Sequence, residues 1–316
     1  MTSRVGAVAM AGKETLSLVI TDSGLGGLAV CADLVRQLKE SRAFRAVTVT
    51  YFNAWPDADR GYNKLPDMTA RARVFDAALS AMARLKPDLI VIACNTLSAI
   101  YPRTAFSRRP GQAVVDIIDF GVEMIERELD ARPESRVVIF GTPTTIESGI
   151  HKARLMARGI AEERIISQPC EGLAGEIEKD PSGAPVRTLV ERCVREAASK
   201  AGAGDGPVLA ALCCTHYGYS LGIFQEQLER YFPGPVILLD PNRGMSAGLL
   251  ADCRRHAYPA VRLDCRVVSR IAIGGDKIAA IAKLIEGVSP ETAAALRKYE
   301  HDPELFTWTD EPGEGR

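Results

Sequence analysis

The sequence predicts an α/β protein of two pseudo-symmetric α/β domains with mainly parallel sheets and an active site in the cleft between them. Short β-branched runs alternate with longer runs of helical periodicity. The β runs are apolar on both faces, as strands of a parallel sheet covered by helices on both sides must be. The layout also repeats at a fixed length. Asp22 in "VITDSG" lies 72 residues before Cys94, and Thr142 in "IFGTPT" lies 72 residues before Cys214. Asp119 follows Cys94 by 25 residues, and Asp240 follows Cys214 by 26.

The chain opens on "MTSRVGAVAMAGKE", whose apolar patch is too short for a secretory core and reads as a disordered extension. "LSLVIT" (16–21) is the first strand and "GGLAVCADLVRQLKE" (26–40) the first long helix. "VTVTYF" (47–52) is the next strand, and "TARARVFDAALSAMARL" (69–85) again places apolar residues at helical spacing. "LIVIAC" (89–94) and "VVDII" (114–118) complete the first unit. The second unit repeats the scheme with strands at "VVIFGT" (137–142), "RIISQP" (164–169), "VLAALC" (208–213) and "VILLD" (236–240). Beyond Asp240, "GMSAGLLADCRRHA" (244–257) and "GDKIAAIAKLIEG" (275–287) read as helices, and "CRVVSRIAIG" (265–274) as a short strand. This segment is expected to pack back on the first unit. The domains are therefore expected at 1–118 plus 242–316, discontinuous and with mobile termini, and at 119–241. The closing "EHDPELFTWTDEPGEGR" is rich in Pro, Gly and acidic residues, and its end is expected to be mobile.

Composition excludes several function classes. A net charge of -1 offers no basic surface for nucleic acid. No apolar run approaches the roughly 20 residues that cross a membrane. Eight cysteines without regular spacing, a C-x-x-C pair or a signal peptide read as reduced thiols in a cytoplasmic protein. Cys213 and Cys214 are adjacent, so on a strand they face opposite sides and chelate poorly. "DSGLGG" does not match the dinucleotide pattern G-x-G-x-x-G, and the chain has no P-loop. The expected cofactors are therefore none: no nucleotide and no metal.

In parallel α/β sheets, ligands bind at the carboxyl ends of the strands. Two facing units would bring Cys94 and Cys214, each at the end of a third strand, to opposite walls of one cleft. Two thiols so placed suit one reaction class: removal of a proton from one face of a carbon and return to the other. A thiol, of reference pKa about 8.5, serves as acid or base if its neighbours adjust it. Asn95, Thr96 and Thr215 follow the thiols at strand–helix junctions, where they could hold a carboxylate. His216 stands two residues beyond Cys214, where it could stabilise the thiol proton. Asp22 opens a glycine turn that permits close backbone approach. Each residue alone has a plainer reading: a cap for Asp22, packing for a lone Cys, a structural His for His216. The set favours chemistry.

"DSGLGGL" (22–28), "ACNTLSA" (93–99), "GTPTTIES" (141–148) and "CTHY" (214–217), in this order, resemble the glutamate racemases of the cofactor-independent Asp/Glu racemase superfamily. The resemblance spans roughly residues 16 to 245. It implies a pyridoxal-free isomerase interconverting L- and D-glutamate, supplying D-glutamate for peptidoglycan and hence the cell wall and cell shape. It further implies that Cys94 deprotonates the D-enantiomer and Cys214 the L-enantiomer, with Asp22 and His216 assisting. Ser23, Asn95, Thr96, Thr142, Thr145 and Thr215 match substrate-holding groups, and Glu178 in "PCEGLAGEIE" matches a further carboxylate. In the substrate loop "RGYNKLPD", Tyr62 matches, Asn63 replaces a glycine, and no serine follows the lysine. Cys213 replaces a glycine, Gly218 a proline, and "LLDPN" an Asp-Ser ending. The expected partner is a small-molecule amino acid, with no nucleic acid or membrane and with a homodimer left open. Aspartate or another acidic amino acid is the alternative substrate. More distant alternatives are a single-Cys hydrolase or decarboxylase and a non-catalytic amino-acid-binding protein.

Overall fold

A computed structural model describes residues 2–309 except 203, 205, 252, 254 and 255. The first part runs α1 (Thr2–Met10), β1 (Thr15–Asp22), α2 (Leu28–Ser41), β2 (Ala46–Asn53), α3 (Met68–Arg84), β3 (Leu89–Ile92), α4 (Asn95–Ile100) and β4 (Val114–Asp116). Then come α5 (Ile117–Ala131), β5 (Arg136–Gly141), α6 (Pro143–Glu147), α7 (Ile150–Met156) and β6 (Ile165–Pro169). They are followed by α8 (Leu173–Lys179), α9 (Ala184–Ala201), β7 (Val208–Cys213), α10 (Leu221–Tyr231) and β8 (Val236–Leu239). The chain closes with α11 (Pro241–Leu249), β9 (Arg262–Ser269), α12 (Gly275–Glu286), α13 (Pro290–Arg297) and β10 (Glu300–His301).

These strands form two sheets, ordered β10-β9-β2-β1-β3-β4 and β6-β5-β7-β8, and every pairing in them is parallel. The inner order β2-β1-β3-β4 is repeated as β6-β5-β7-β8, so the repeat in the sequence is a repeat of topology. β9 and β10 extend the first sheet on its β2 edge.

Each sheet is covered on both faces. Along β3, Leu89 and Val91 enter one core with α2 and α11, while Ile90 and Ile92 enter another with α3. Along β7, Leu209, Ala211 and Cys213 pack with α5, while Val208, Ala210, Leu212 and Cys214 pack with α9 and α10. Period-two alternation thus sends Cys213 into a core and brings Cys214 out at the opposite face.

Four expectations need correction. The amino-terminal stretch is not a disordered extension: it forms α1, which contacts β3, β4, α5 and α11 and buries Met10. The strands expected at 89–94 and 114–118 stop at Ile92 and Asp116, because the next residues start helices. The Asp116 carboxylate caps α5, accepting from the Ile118 and Asp119 amides at 3.0 and 3.3 Å. Asp116, not Asp119, is therefore the counterpart of Asp240, which caps α11 through the Asn242 amide at 3.1 Å. The helix expected over 244–257 ends at Leu249, and residues 252, 254 and 255 of that range lie outside the described residues. Beyond His301, Phe306 is buried and packs on Phe52, and the Trp308 indole donates to the Pro56 carbonyl at 3.1 Å. The tail end expected to be mobile, residues 310–316, lies outside the described residues. No helix among the described residues is long and apolar enough to cross a membrane.

Candidate active site

Both thiols sit where a strand gives way to helix. Cys94 caps α4, its sulfur accepting from the Leu97 amide at 3.5 Å and lying 3.2 Å from the Ser23 hydroxyl. Cys214 follows β7 and opens the 3-10 turn Thr215–Ser220; its sulfur lies 3.7 Å from His216 Nδ1. One cavity of about 460 Å³ is lined by both, at the carboxyl ends of β1 and β3 on one side and of β5 and β7 on the other. Of the sequence-predicted residues only Thr145 stands off its wall. Its hydroxyl supports the wall from behind, at 3.2 Å from that of Thr96 and 3.0 Å from that of Thr142, which are themselves 2.8 Å apart.

The glycine turn after β1 lets the two units interlock. A Cβ on Gly26 would stand 2.4 Å from Thr215 Oγ1, and one on Gly24 would stand 2.6 Å from Glu178 Oε1. Only glycine admits that approach. It allows Thr215 to donate to Asp22 Oδ2 at 2.8 Å and the Leu25 amide to donate to Glu178 Oε1 at 2.9 Å. Asp22 caps no helix: α2 begins after Gly27 without a side-chain cap.

Glu178, on α8, joins a chain of polar contacts leading to Cys214. Its Oε1 lies 2.8 Å from His216 Nε2, and its Oε2 accepts from Lys277 of α12 at 2.8 Å. Burial alone would raise the Glu178 pKa, but His216 and Lys277 outweigh it and bring the carboxyl down to about 2. Burial would likewise discharge His216; Cys214 and Glu178 outweigh it and hold the imidazolium well above its ordinary range. Cys94 differs. Burial, reinforced by the Asp22 charge, pushes its thiol well up and keeps its proton on sulfur. Burial raises Asp22 also, against His216 and Thr215.

Three polar atoms on cavity-lining residues are buried without a partner: Asp22 Oδ1, the Tyr62 hydroxyl and Asn95 Nδ2. Buried polar groups are usually paired, and a polar molecule bound in the cavity would satisfy these three. Asn95 Oδ1 is occupied by His151 Nε2 at 3.1 Å. Asn63 Oδ1 accepts from the Thr144 amide at 3.3 Å, joining the loop after β2 to α6.

Sequence reasoning missed Trp55, Cys170 and Lys277 in the lining and His151 behind Asn95. Trp55 stands seven residues before Tyr62, and the glycine between them could have signalled it, because a Cβ on Gly61 would strike the Trp55 ring at 2.7 Å. Lys277 and His151 carried no local signal.

The sequence profile of the Asp/Glu/Hydantoin racemase family matches residues 19–243, a span that contains both thiols. The chain belongs to this family. It is therefore a racemase, an isomerase, as its relatives are named. Glutamate racemase of Syntrophus aciditrophicus is 33% identical over 214 residues, covering 66% of this chain and 70% of the relative. A glutamate racemase of Cereibacter sphaeroides is 29% identical over 255 residues, covering 75% and 84%. The fold is that of solved glutamate racemases. The Francisella tularensis enzyme, solved with D-glutamate, superposes with a TM-score of 0.64 at 20% identity, covering 86% of this chain and 94% of that one. The Campylobacter jejuni enzyme gives 0.63 at 19% identity, covering 86% and 98%.

Proposed function

We propose that this racemase interconverts L- and D-glutamate without a cofactor, by two-base proton transfer between Cys94 and Cys214. The product D-glutamate would serve peptidoglycan synthesis in the cytoplasm. The observation that carries the reading is the pair of thiols on one cavity, each at the same point of a repeated unit. The domains proposed to form its walls are 1–118 plus 242–316 and 119–241; the first holds β1–β4 with β9 and β10, the second β5–β8.

With L-glutamate, Cys214 takes the α-proton: the C–H bond breaks and its electron pair moves toward the substrate carboxylate. Cys94, which carries its proton at rest, gives it to the opposite face. D-glutamate runs the reverse course from the form that step leaves, in which Cys94 has given up its proton and Cys214 carries one. The His216 imidazolium stabilises negative charge that develops on the Cys214 sulfur, and fixed dipoles along the cavity wall stabilise the carbanion-like state. Asp22 Oδ1 is free to accept from the substrate ammonium, and Asn95 Nδ2 to donate to a carboxylate. Tyr62, Asn63 and the hydroxyls of Ser23, Thr96, Thr142 and Thr215 complete the hold.

The test is incubation with each enantiomer of glutamate and of aspartate in deuterated water, followed by the α-proton resonance and by chiral analysis. Glutamate should lose its α-proton signal from either enantiomer as the other appears. Faster exchange with aspartate would transfer the assignment to that substrate, and no exchange with any of the four would end it.

A further inference from the structure

Lys277 lies in the first turn of α12, beyond the end of the matched racemase region at residue 243. Its ammonium reaches across 99 residues of sequence to Glu178 and lines the same cavity as the two thiols. The Lys277 ammonium, the Glu178 carboxylate and the His216 imidazolium stand in alternating order of charge, and the Cys214 sulfur is next in line. We propose that Lys277 is a positioning residue for the Cys214 half of the reaction, fixing Glu178 so that Glu178 holds His216 against Cys214. The proposal rests on the two-base reading above.

Glu178 has three contacts for two oxygens: the Leu25 amide and His216 on Oε1, and Lys277 on Oε2. Lys277 is thus the one cation on Oε2 among the contacts of the described residues. Without it, a buried carboxylate oxygen loses its partner, which favours protonating or rotating the group. Either change releases His216 Nε2, and Nδ1 then no longer holds its proton toward Cys214. The other charged and titratable groups facing Glu178 do not replace Lys277. Asp22, at the end of β1, is acidic, and Tyr219, in the 3-10 turn, is a partly buried phenol. α9, the remaining helix packed on α8, shares the apolar core of Val186, Val190, Leu173 and Ile177 with it. Among the described residues Cys94 shares no hydrogen bond with these groups; its sulfur is held by Ser23 and Leu97. The effect of Lys277 should therefore fall on one enantiomer.

Complete racemisation hides such an effect, because both directions cross the same steps. The L- and D-enantiomers of 3-chloroglutamate expose it. The base takes the α-proton, the C–H electron pair forms a double bond to the β-carbon, and chloride leaves. The enamine then becomes a 2-oxo acid and ammonia by reaction with water. Chloride release by the wild type, Cys94→Ser, Cys214→Ser, Lys277→Met and Lys277→Arg should be followed from pH 5 to 9. In Lys277→Met, kcat/KM for the L-analogue should fall by about 10-fold while that for the D-analogue stays within about 2-fold. The acidic limb for the L-analogue should move up by about one pH unit, with the D-analogue limb unmoved. Lys277→Arg, which keeps the cation, should restore most of the L-activity. Equal losses on both analogues, or an unmoved L-limb, would overturn the role of Lys277 alone, provided the two Ser variants divide the enantiomers. If the Ser variants do not divide them, the two-base reading falls and this proposal with it.

Discussion

His151 occupies the buried ground behind Asn95, and its state decides what Asn95 offers to the cavity. Burial, helped by the charge of Arg154, pushes its imidazole down to about 3. A neutral ring can donate Nε2–H to Asn95 Oδ1, which leaves the two hydrogens of the amide nitrogen for a ligand. The same depression couples this residue to stability. As pH falls, the unfolded chain protonates His151 near its ordinary value of 6.5, while the folded chain resists until about 3. The residue therefore favours folding fully only above pH 6.5, and loses that contribution as pH falls toward 3. Near pH 5 the loss is about 2 kcal/mol, from one buried proton over about 1.5 pH units. His151→Gln keeps an amide donor for Asn95 and does not titrate. Urea unfolding at pH 7.5 and 5 should show wild type losing about 2 kcal/mol more than His151→Gln over that interval. An equal loss in both would mean that His151 is not held neutral.

At the scale of elements, the contact between the glycine turn after β1 and the 3-10 turn Thr215–Ser220 sets the site. Gly26→Ala would put a methyl 2.4 Å from Thr215 Oγ1 and 2.6 Å from His216 Nδ1, so one turn must withdraw from the other. The variant should fold yet lose about 100-fold or more in kcat/KM, since small displacements of this kind cost that much. Gly222→Ala is the control: nothing lies within 4 Å of its Cβ, and its helical site should gain up to about 1 kcal/mol. Activity kept in Gly26→Ala would mean that the close approach does not matter. The two sheets were legible in the sequence because their strands are buried on both faces, which leaves apolar runs such as "LIVIAC" and "VLAALC". The cysteine sites were legible because each lies at the end of such a run. Strand ends were less so, since Asp116 could end a strand or cap a helix, and capping ends the strand there. α1 was missed because its nine residues are short for an independent helix; tertiary contacts with β4 and α11 sustain it. Lys277 and His151 reach their partners across 99 and 56 residues, so no local pattern announces them.

Over the whole molecule, the repeated order of the two sheets brings one thiol from each half to a shared seam. The halves are alike in topology, yet their thiols have different surroundings: Cys94 has Ser23 and a buried carboxylate nearby, while Cys214 has His216. Loss of one thiol should consequently remove one face of the reaction and leave the other workable. Cys94→Ala and Cys214→Ala should each lower racemisation by about 1,000-fold or more, because turnover needs an acid and a base on opposite faces. A serine hydroxyl is not ionised near neutral pH and so fails as the base, but it can still give a proton to a strongly basic carbanion, so each Ser variant should keep part of its acid role. Elimination from a 3-chloro analogue needs only deprotonation and therefore separates the two. Cys214→Ser should eliminate slowly from the L-analogue and comparatively well from the D-analogue, and Cys94→Ser the reverse. Chloride release against enantiomer measures this directly. If both Ser variants lost both enantiomers equally, the two thiols would not be facing bases, and the repeat would account for the fold without accounting for the chemistry.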